Sequence, residues 1–195
     1  MLGSVLCLLA LSSCGKEKRV TRVDPETVID LSGRWNDTDS KLVAEAMMNE
    51  MVSRPWLSKF TGSHGREPVV IVGTILNKSL EHIDVGTFIT DLEREMTNSQ
   101  KVLFVASTSE RQEIREERKE QAVYSREDTQ KRPGQELGAD FMMKGTIAAI
   151  VDESGGTKVI YYQVDLNLID LENNVKSWYG QKKIKKVIER KRLLF

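Results

Sequence analysis

Asp140-Phe141-Met142-Met143-Lys144-Gly145-Thr146-Ile147-Ala148-Ala149-Ile150-Val151, a Gly155-Gly156 pair, and Lys158-Val159-Ile160-Tyr161-Tyr162-Gln163-Val164-Asp165-Leu166-Asn167-Leu168-Ile169 decide the fold. Two long runs rich in β-branched and aromatic residues, joined by a glycine pair that can take positive φ, predict a β-hairpin. Val164, Leu166 and Leu168 alternate with Asp165 and Asn167, so one face of the second strand is expected to be buried and the other wetter. A second turn at Asn173-Asn174 leads to Val175-Lys176-Ser177-Trp178-Tyr179-Gly180, a further antiparallel strand. The C-terminal half therefore reads as a three-stranded meander.

Working outward, Pro68 precedes Val69 to Leu76, a continuous apolar run expected of a strand covered on both faces. Lys101 to Ala106 reads as a second buried strand. Between them Val85, Phe88, Ile89, Leu92 and Met96 recur at steps of three and four behind Asp84, which predicts a capped helix. Upstream, Asp37-Thr38-Asp39-Ser40 offers N-cap residues ahead of Leu42, Val43, Ala46, Met47 and Met51, a first helix that Pro55 is expected to close. Ser109 with Gln112 resembles a capping box and opens a charged helix to about Gln121. The predicted order is helix, strand, helix, strand, helix, then the meander: an α/β (α+β) domain with a small mixed sheet flanked by helices, over residues 37–187.

The chain has 195 residues, with 29 Lys and Arg against 29 Asp and Glu. A net charge of zero gives no overall field to gather nucleic acid, so nucleic acid is not expected as a partner. Both cysteines, Cys7 and Cys14, precede the first element, so the domain has neither a disulfide framework nor a zinc cluster available to it. His64 and His82 read as solvated loop residues with no second ligand at metal spacing. No Gly-x-Ser-x-Gly elbow, phosphate-binding glycine loop or penicillin-binding Ser-x-x-Lys signature stands in a suitable context. The expectation is a protein with no catalytic residue, no metal and no cofactor, which acts by binding.

At the N-terminus an apolar run of about ten residues is too short to span a bilayer core of about 30 Å, and it runs into Leu11-Ser12-Ser13-Cys14. That tetrapeptide resembles a bacterial lipobox, which implies a signal peptide over residues 1–13 and acylation of Cys14. No Lys or Arg precedes the run, which points to a truncated or misassigned initiator. Gly15 rather than aspartate after the cysteine resembles outer-membrane sorting. Residues 14–36 are charged and turn-rich, expected to form a tether of roughly 70 Å when extended. Lys182 to Arg192 holds seven basic residues against Glu189; with residues 188–195 read as a basic tail, contact with anionic lipid headgroups or wall polymers stands beside simple disorder.

This order, behind a lipobox, is similar to the LpoB family, outer-membrane lipoproteins that activate penicillin-binding proteins. The likeness rests on Leu137-Gly138-Ala139-Asp140-Phe141-Met142-Met143-Lys144-Gly145 and on Leu168-Ile169-Asp170 through Trp178-Tyr179-Gly180. It implies a domain shaped like the N-terminal domain of TolB, a place on the periplasmic face of the outer membrane, and a bifunctional peptidoglycan synthase as partner. The family's long proline-rich tether is replaced here by a short one with Pro25 alone. A lipoprotein subunit or accessory factor of a curli-type secretion pore is the main alternative, and a wall-cleaving enzyme a third.

Candidate partner-binding residues follow from charge and size. Arg111, Arg115, Arg118 and Lys119 fall on one face of the charged helix, opposite Glu113, Glu116, Glu117 and Glu120; the bland reading is a solvated face, the functional one a stripe that steers an acidic partner. Lys144 is a charge inside an apolar strand and needs solvent, a carboxylate or a partner. Trp178 and Tyr179 are either sheet-edge packing or interface anchors.

Overall fold

The computed structural model describes residues 19–189; Cys14, the signal segment and residues 190–195 lie outside the described residues. Nine elements follow in order: α1 (Asp37–Ser53), α2 (Pro55–His64), β1 (Val69–Asn77), α3 (Val85–Ser99), β2 (Leu103–Phe104), α4 (Thr108–Tyr124), β3 (Phe141–Ser154), β4 (Thr157–Asp170) and β5 (Lys176–Glu189). The strands form one mixed sheet in the order β2-β1-β3-β4-β5. β1 runs parallel to β2 and β3, and the β3–β4–β5 meander is antiparallel, as expected.

Local chemistry sets the boundaries. The cap of α1 is Asn36, one residue before the expected cluster: its side chain accepts from Asp39 N–H while Asp39 accepts from Asn36 N–H. Pro55 ends α1 and also opens α2, a helix the sequence reading did not anticipate. Proline suits the first helical position, where its missing N–H would have no intrahelical acceptor. Gly155 and Gly156, both at positive φ, turn the β3–β4 hairpin.

Three further expectations are corrected. The second strand shrinks from Lys101–Ala106 to Leu103–Phe104, because it lies at the sheet edge with a single neighbour and leaves Leu103 42% exposed. Helix α4 is capped by Ser107 with Glu110, not by Ser109 with Gln112; an ionised Glu reaches back to the cap N–H and favours the positive helix start. The basic segment is a strand as far as Glu189, paired with β4 along its length.

Helices α1 and α3 cover one face of the sheet. Val43, Met47 and Met51 of α1 and Phe88, Leu92 and Met96 of α3 are buried against Val70, Met143, Ile147, Ile160, Tyr162, Val164, Leu166 and Leu168. Each large apolar side chain so buried contributes about 1.5–3 kcal/mol before chain entropy is counted. The connection β2–α4–β3 returns across the sheet in the opposite sense to β1–α3–β2, and strand alternation gives the meander a second face turned away from α1 and α3. α4 has no buried residue, and over β3, β4 and β5 that second face is half-buried to exposed.

The folded part begins before α1. Trp35 packs edge-on against Phe88 and Tyr162, with ring centroids 6.1 and 5.5 Å apart. Asp30 and Asp39 both hold Lys186 on β5, at 2.7 and 2.6 Å.

Candidate partner-binding surface

The open face of the meander is ordered in cross-strand rows. Lys144 on β3 stands opposite Asn167 on β4, which stands opposite Tyr179 on β5. Alternation makes this unavoidable: Met143, Leu168 and Trp178 turn inward, so their neighbours turn outward. Lys144 is exposed on that face, and Gly73 of β1 leaves the room in which its stem and the side chain of Met142 lie. Two sequence-picked residues, Lys144 and Tyr179, thus share one row. Between them Asn167 Oδ1 is buried without a hydrogen-bond partner among the described residues.

The next row centres on Asp165. Tyr179 Oη donates to Asp165 Oδ1 at 2.5 Å, Gln181 donates to the same oxygen at 2.8 Å, and Gln163 donates to Oδ2 at 2.8 Å. Desolvation pushes the Asp165 carboxyl up, but these donors and the charge of Lys183 outweigh it and hold the pKa below the usual value. The Tyr179 hydroxyl is raised by its bond to Asp165 and by desolvation. Tyr179 therefore stands pre-oriented while the residue is 54% exposed, which lowers the ordering cost of using it as a contact.

At the strand ends this face meets a cleft of about 550 Å³ between α2 and β5, lined by Trp56, Phe60, His64, Phe141, Trp178 and Tyr179 among others. Its floor is an aromatic cluster: Trp56 and Phe60 pack edge-on against Phe141, and His64 stacks on Phe60 with centroids 4.0 Å apart. His64 is thus an α2 residue packed on a ring, not a loop residue. Trp178 is 5% exposed, and its Nε1 has no partner among the described residues. Tyr179 is exposed, whereas Trp178 is packed inward. The α2 contribution escaped the sequence reading, although Pro55-Trp56-Leu57 followed by Phe60 carries the helical spacing that could have found it.

Asp140 lines a neighbouring cleft of about 320 Å³ that shares Phe60, His64 and Phe141 with the first. It takes both guanidinium nitrogens of Arg66 at 2.7 Å and the Val69 N–H at 2.7 Å. The Arg66 hydrogen bonds hold its carboxyl below the usual range despite burial.

The basic stripe lies elsewhere. Arg115 grips Glu136 through two bonds of 2.9 and 2.7 Å, and Arg118 adds a third at 3.0 Å. The Arg115 hydrogen bonds depress the Glu136 carboxyl. Half of the stripe therefore ties the 125–140 connection to α4, and Arg111 and Lys119 make no ion pair among the described residues. No hydrogen bond or ion pair among the described residues links α4 to the Lys144–Tyr179 row. Cys14, the lipidation candidate, lies outside the described residues. Among those residues no group of three or more His, Cys, Asp or Glu could hold a metal ion, and no helix is long and apolar enough to cross a membrane.

A family model described as peptidoglycan-synthase activator LpoB matches residues 39–184. Solved structures that resemble the chain include the LpoB C-terminal domain from Escherichia coli (15% identity, 72% of this chain and 97% of that one, TM-score 0.37). The NMR structure of E. coli LpoB is also similar (15% identity, 97% and 84% coverage, TM-score 0.39). Lipoprotein GNA1162 from Neisseria meningitidis is a third (13% identity, 64% and 87% coverage, TM-score 0.39). No curated protein matches the chain.

Proposed function

The chain belongs to the LpoB family of peptidoglycan-synthase activators, and from that premise we propose that it is a lipid-anchored regulator that binds and stimulates a bifunctional peptidoglycan synthase, a penicillin-binding protein, in the periplasm. The observation that carries this reading is the span of the family match, which runs from the first turn of α1 into β5 and so takes in every element of the domain. In this reading residues 1–13 are a signal peptide, Cys14 carries acyl chains in the outer membrane, and the residues after it form the tether. The domain performs no chemistry. It works by contact, and its effect on the synthase is bounded by its difference in affinity for the active and inactive conformations.

The docking surface proposed is the open face around Lys144 and Tyr179, continued by the cleft beside Trp178. It combines an exposed, pre-oriented tyrosine with a polar rim and an aromatic floor, which is how interface anchors are commonly built. Arg111, Arg115, Arg118 and Lys119 act at the margin by speeding encounter with an acidic surface.

The test is site-specific photocrosslinking in cells from position 179, compared with a crosslinker at position 123 on exposed Val123 of α4. The expected capture from 179 is a bifunctional synthase, and purified chain should raise that enzyme's glycan polymerisation rate. Capture of secretion-pore subunits alone, with no stimulation of any synthase, defeats the proposal.

A further inference from the structure

The basic C-terminal segment, which the activator reading leaves without a task, is the outer edge of the sheet. Among the described residues β5 has β4 on one side and no strand on the other. Lys182, Lys183 and Lys185 are exposed along it and form no ion pair within 4 Å among the described residues. Their cross-strand neighbours on β4 are Val164, Gln163 and Tyr161, none of them a counter-charge. Alternation sends Lys183 and Lys185 to the open face and Lys182 to the other, so ammonium groups project on both sides of one edge. Two carboxylates oppose the strip: Asp165 on β4, diagonal to Lys183 and already taken up by Tyr179, Gln181 and Gln163, and Glu189 on β5 itself; Asp152 and Glu153 of the hairpin stand two strands inward on β3.

The same edge is where the N-terminal segment is fastened. Lys186 Nζ binds Asp30 Oδ1 at 2.7 Å, Asp39 Oδ2 at 2.6 Å and the Arg34 carbonyl at 3.1 Å. Gly33, at φ +68, lies so close to Ile188 that a side chain there would collide with it. The chain therefore leaves the domain beside the lysine edge, and from Cys14 to Asp30 it spans at most about 55 Å when extended. A bilayer entered by acyl chains on Cys14 would be within reach of this edge.

We infer that the outer edge of β5, through Lys182, Lys183 and Lys185, is a docking strip for the phosphodiester headgroups of anionic lipid, which lays the domain on the bilayer that its own anchor enters. Ammonium groups close to a negatively charged surface each strengthen attachment by about fivefold, and salt screens the effect. The strip adds this to the acyl anchor and fixes which edge of the domain meets the membrane, leaving the cleft at the opposite end of β5 uncovered. The inference rests on the reading of Cys14 as the anchor, and its test does not need the anchor.

The full chain carrying Cys14→Ala, which cannot be acylated, is sedimented with vesicles of phosphatidylcholine alone and with vesicles that also contain phosphatidylglycerol. Binding is expected only to the second, to fall at high salt, and to drop about 100-fold in Lys182→Gln, Lys183→Gln, Lys185→Gln. The control replaces exposed Lys101, Lys131 and Arg132 by Gln, an equal loss of charge away from β5, and is expected to bind as before. Equal loss in both triple variants would mean that net charge alone is read and overturns the strip. So does equal binding to both vesicle types, or sedimentation with purified peptidoglycan but not with vesicles. Failure of the anchor reading is seen separately, as unacylated Cys14 in the wild-type protein isolated from cells.

Discussion

The indole of Trp178 lies over Gly180, so closely that a Cβ at position 180 would run into the six-membered ring. Both residues point inward on β5, two positions apart, and the missing side chain at one makes room for the large side chain at the other. The pairing gives a physical reason for the tryptophan and glycine in the terminal hairpin: the ring fills the space beside Leu166 and Leu168 that the glycine leaves empty. Gly180→Ala should therefore displace the ring and cost about 1–3 kcal/mol through overpacking. Chemical denaturation measures the loss and Trp fluorescence the displacement. An unchanged midpoint and spectrum would show that the indole does not need the space.

Arg66 and Asp140 join the loop before β1 to the start of β3. The Arg66 hydrogen bonds depress the Asp140 carboxyl, so the folded state holds its proton less tightly than the unfolded chain does. The pair's contribution is complete above the unfolded carboxylate value of about 3.9 and is lost as pH falls through the lower folded value. Asp140→Asn should cost about 1–2 kcal/mol at neutral pH, reduced by the partial exposure of Arg66. The variant's stability should converge on that of the wild type in strong acid. Parallel stability curves across the acid range would contradict the linkage.

Glu136 neutralises Arg115 and Arg118 while holding the 125–140 connection to α4. Glu136→Gln should change stability little, since the groups are largely solvated, but hydrogen exchange should quicken in the connection. Freed of their carboxylate, the two guanidinium groups should also speed association with an acidic synthase surface at low salt. Reversal of Arg111, Arg115 and Lys119 to Glu should slow it. Association rates indifferent to both changes would remove α4 from the encounter surface.

The meander and α3 were legible in the sequence because alternation and three-four spacing report directly on which face is buried. α2 was not, since a proline that ends one helix and begins the next looks like a simple stop. β2 was overread because an apolar run does not say whether a strand has one neighbour or two. At the candidate surface the sequence picked Tyr179 and Lys144 separately. Their meeting in one row through Asn167 depends on the β3–β4 and β4–β5 registers, and the long-range ion pairs to Glu136 and Asp140 depend on topology. Lys186 was one basic residue in a run of them until folding placed it between Asp30 and Asp39.

That last contact sets where the folded domain begins. Trp35 covers Phe88 and Tyr162, and its backbone N–H reaches Glu81 Oε2 at 3.3 Å, the oxygen that also accepts from the Tyr162 hydroxyl at 2.7 Å. Trp35→Ala should cost about 2–4 kcal/mol, somewhat under a fully buried aromatic truncation because Trp35 is half-buried, and should shift the thermal midpoint accordingly. The ion pairs beside it add a pH signature. Desolvation pulls the Lys186 ammonium down, but its hydrogen bonds to Asp30 and Asp39 and their charges together outweigh it and raise the group, and the bond from Lys186 depresses Asp30. The Lys186 contribution is present below its unfolded value of about 10.4 and fades as pH rises through the higher folded value. The Asp30 contribution is present above about 3.9 and fades on acidification through the lower one. Between those limits Lys186→Met should destabilise the chain by leaving Asp39, 6% exposed in its side chain, without its cation. Protease cleavage between residues 22 and 34 should accelerate in both variants as the segment lifts from β5. Resistance equal to wild type would mean that the segment is held by something other than Trp35 and Lys186.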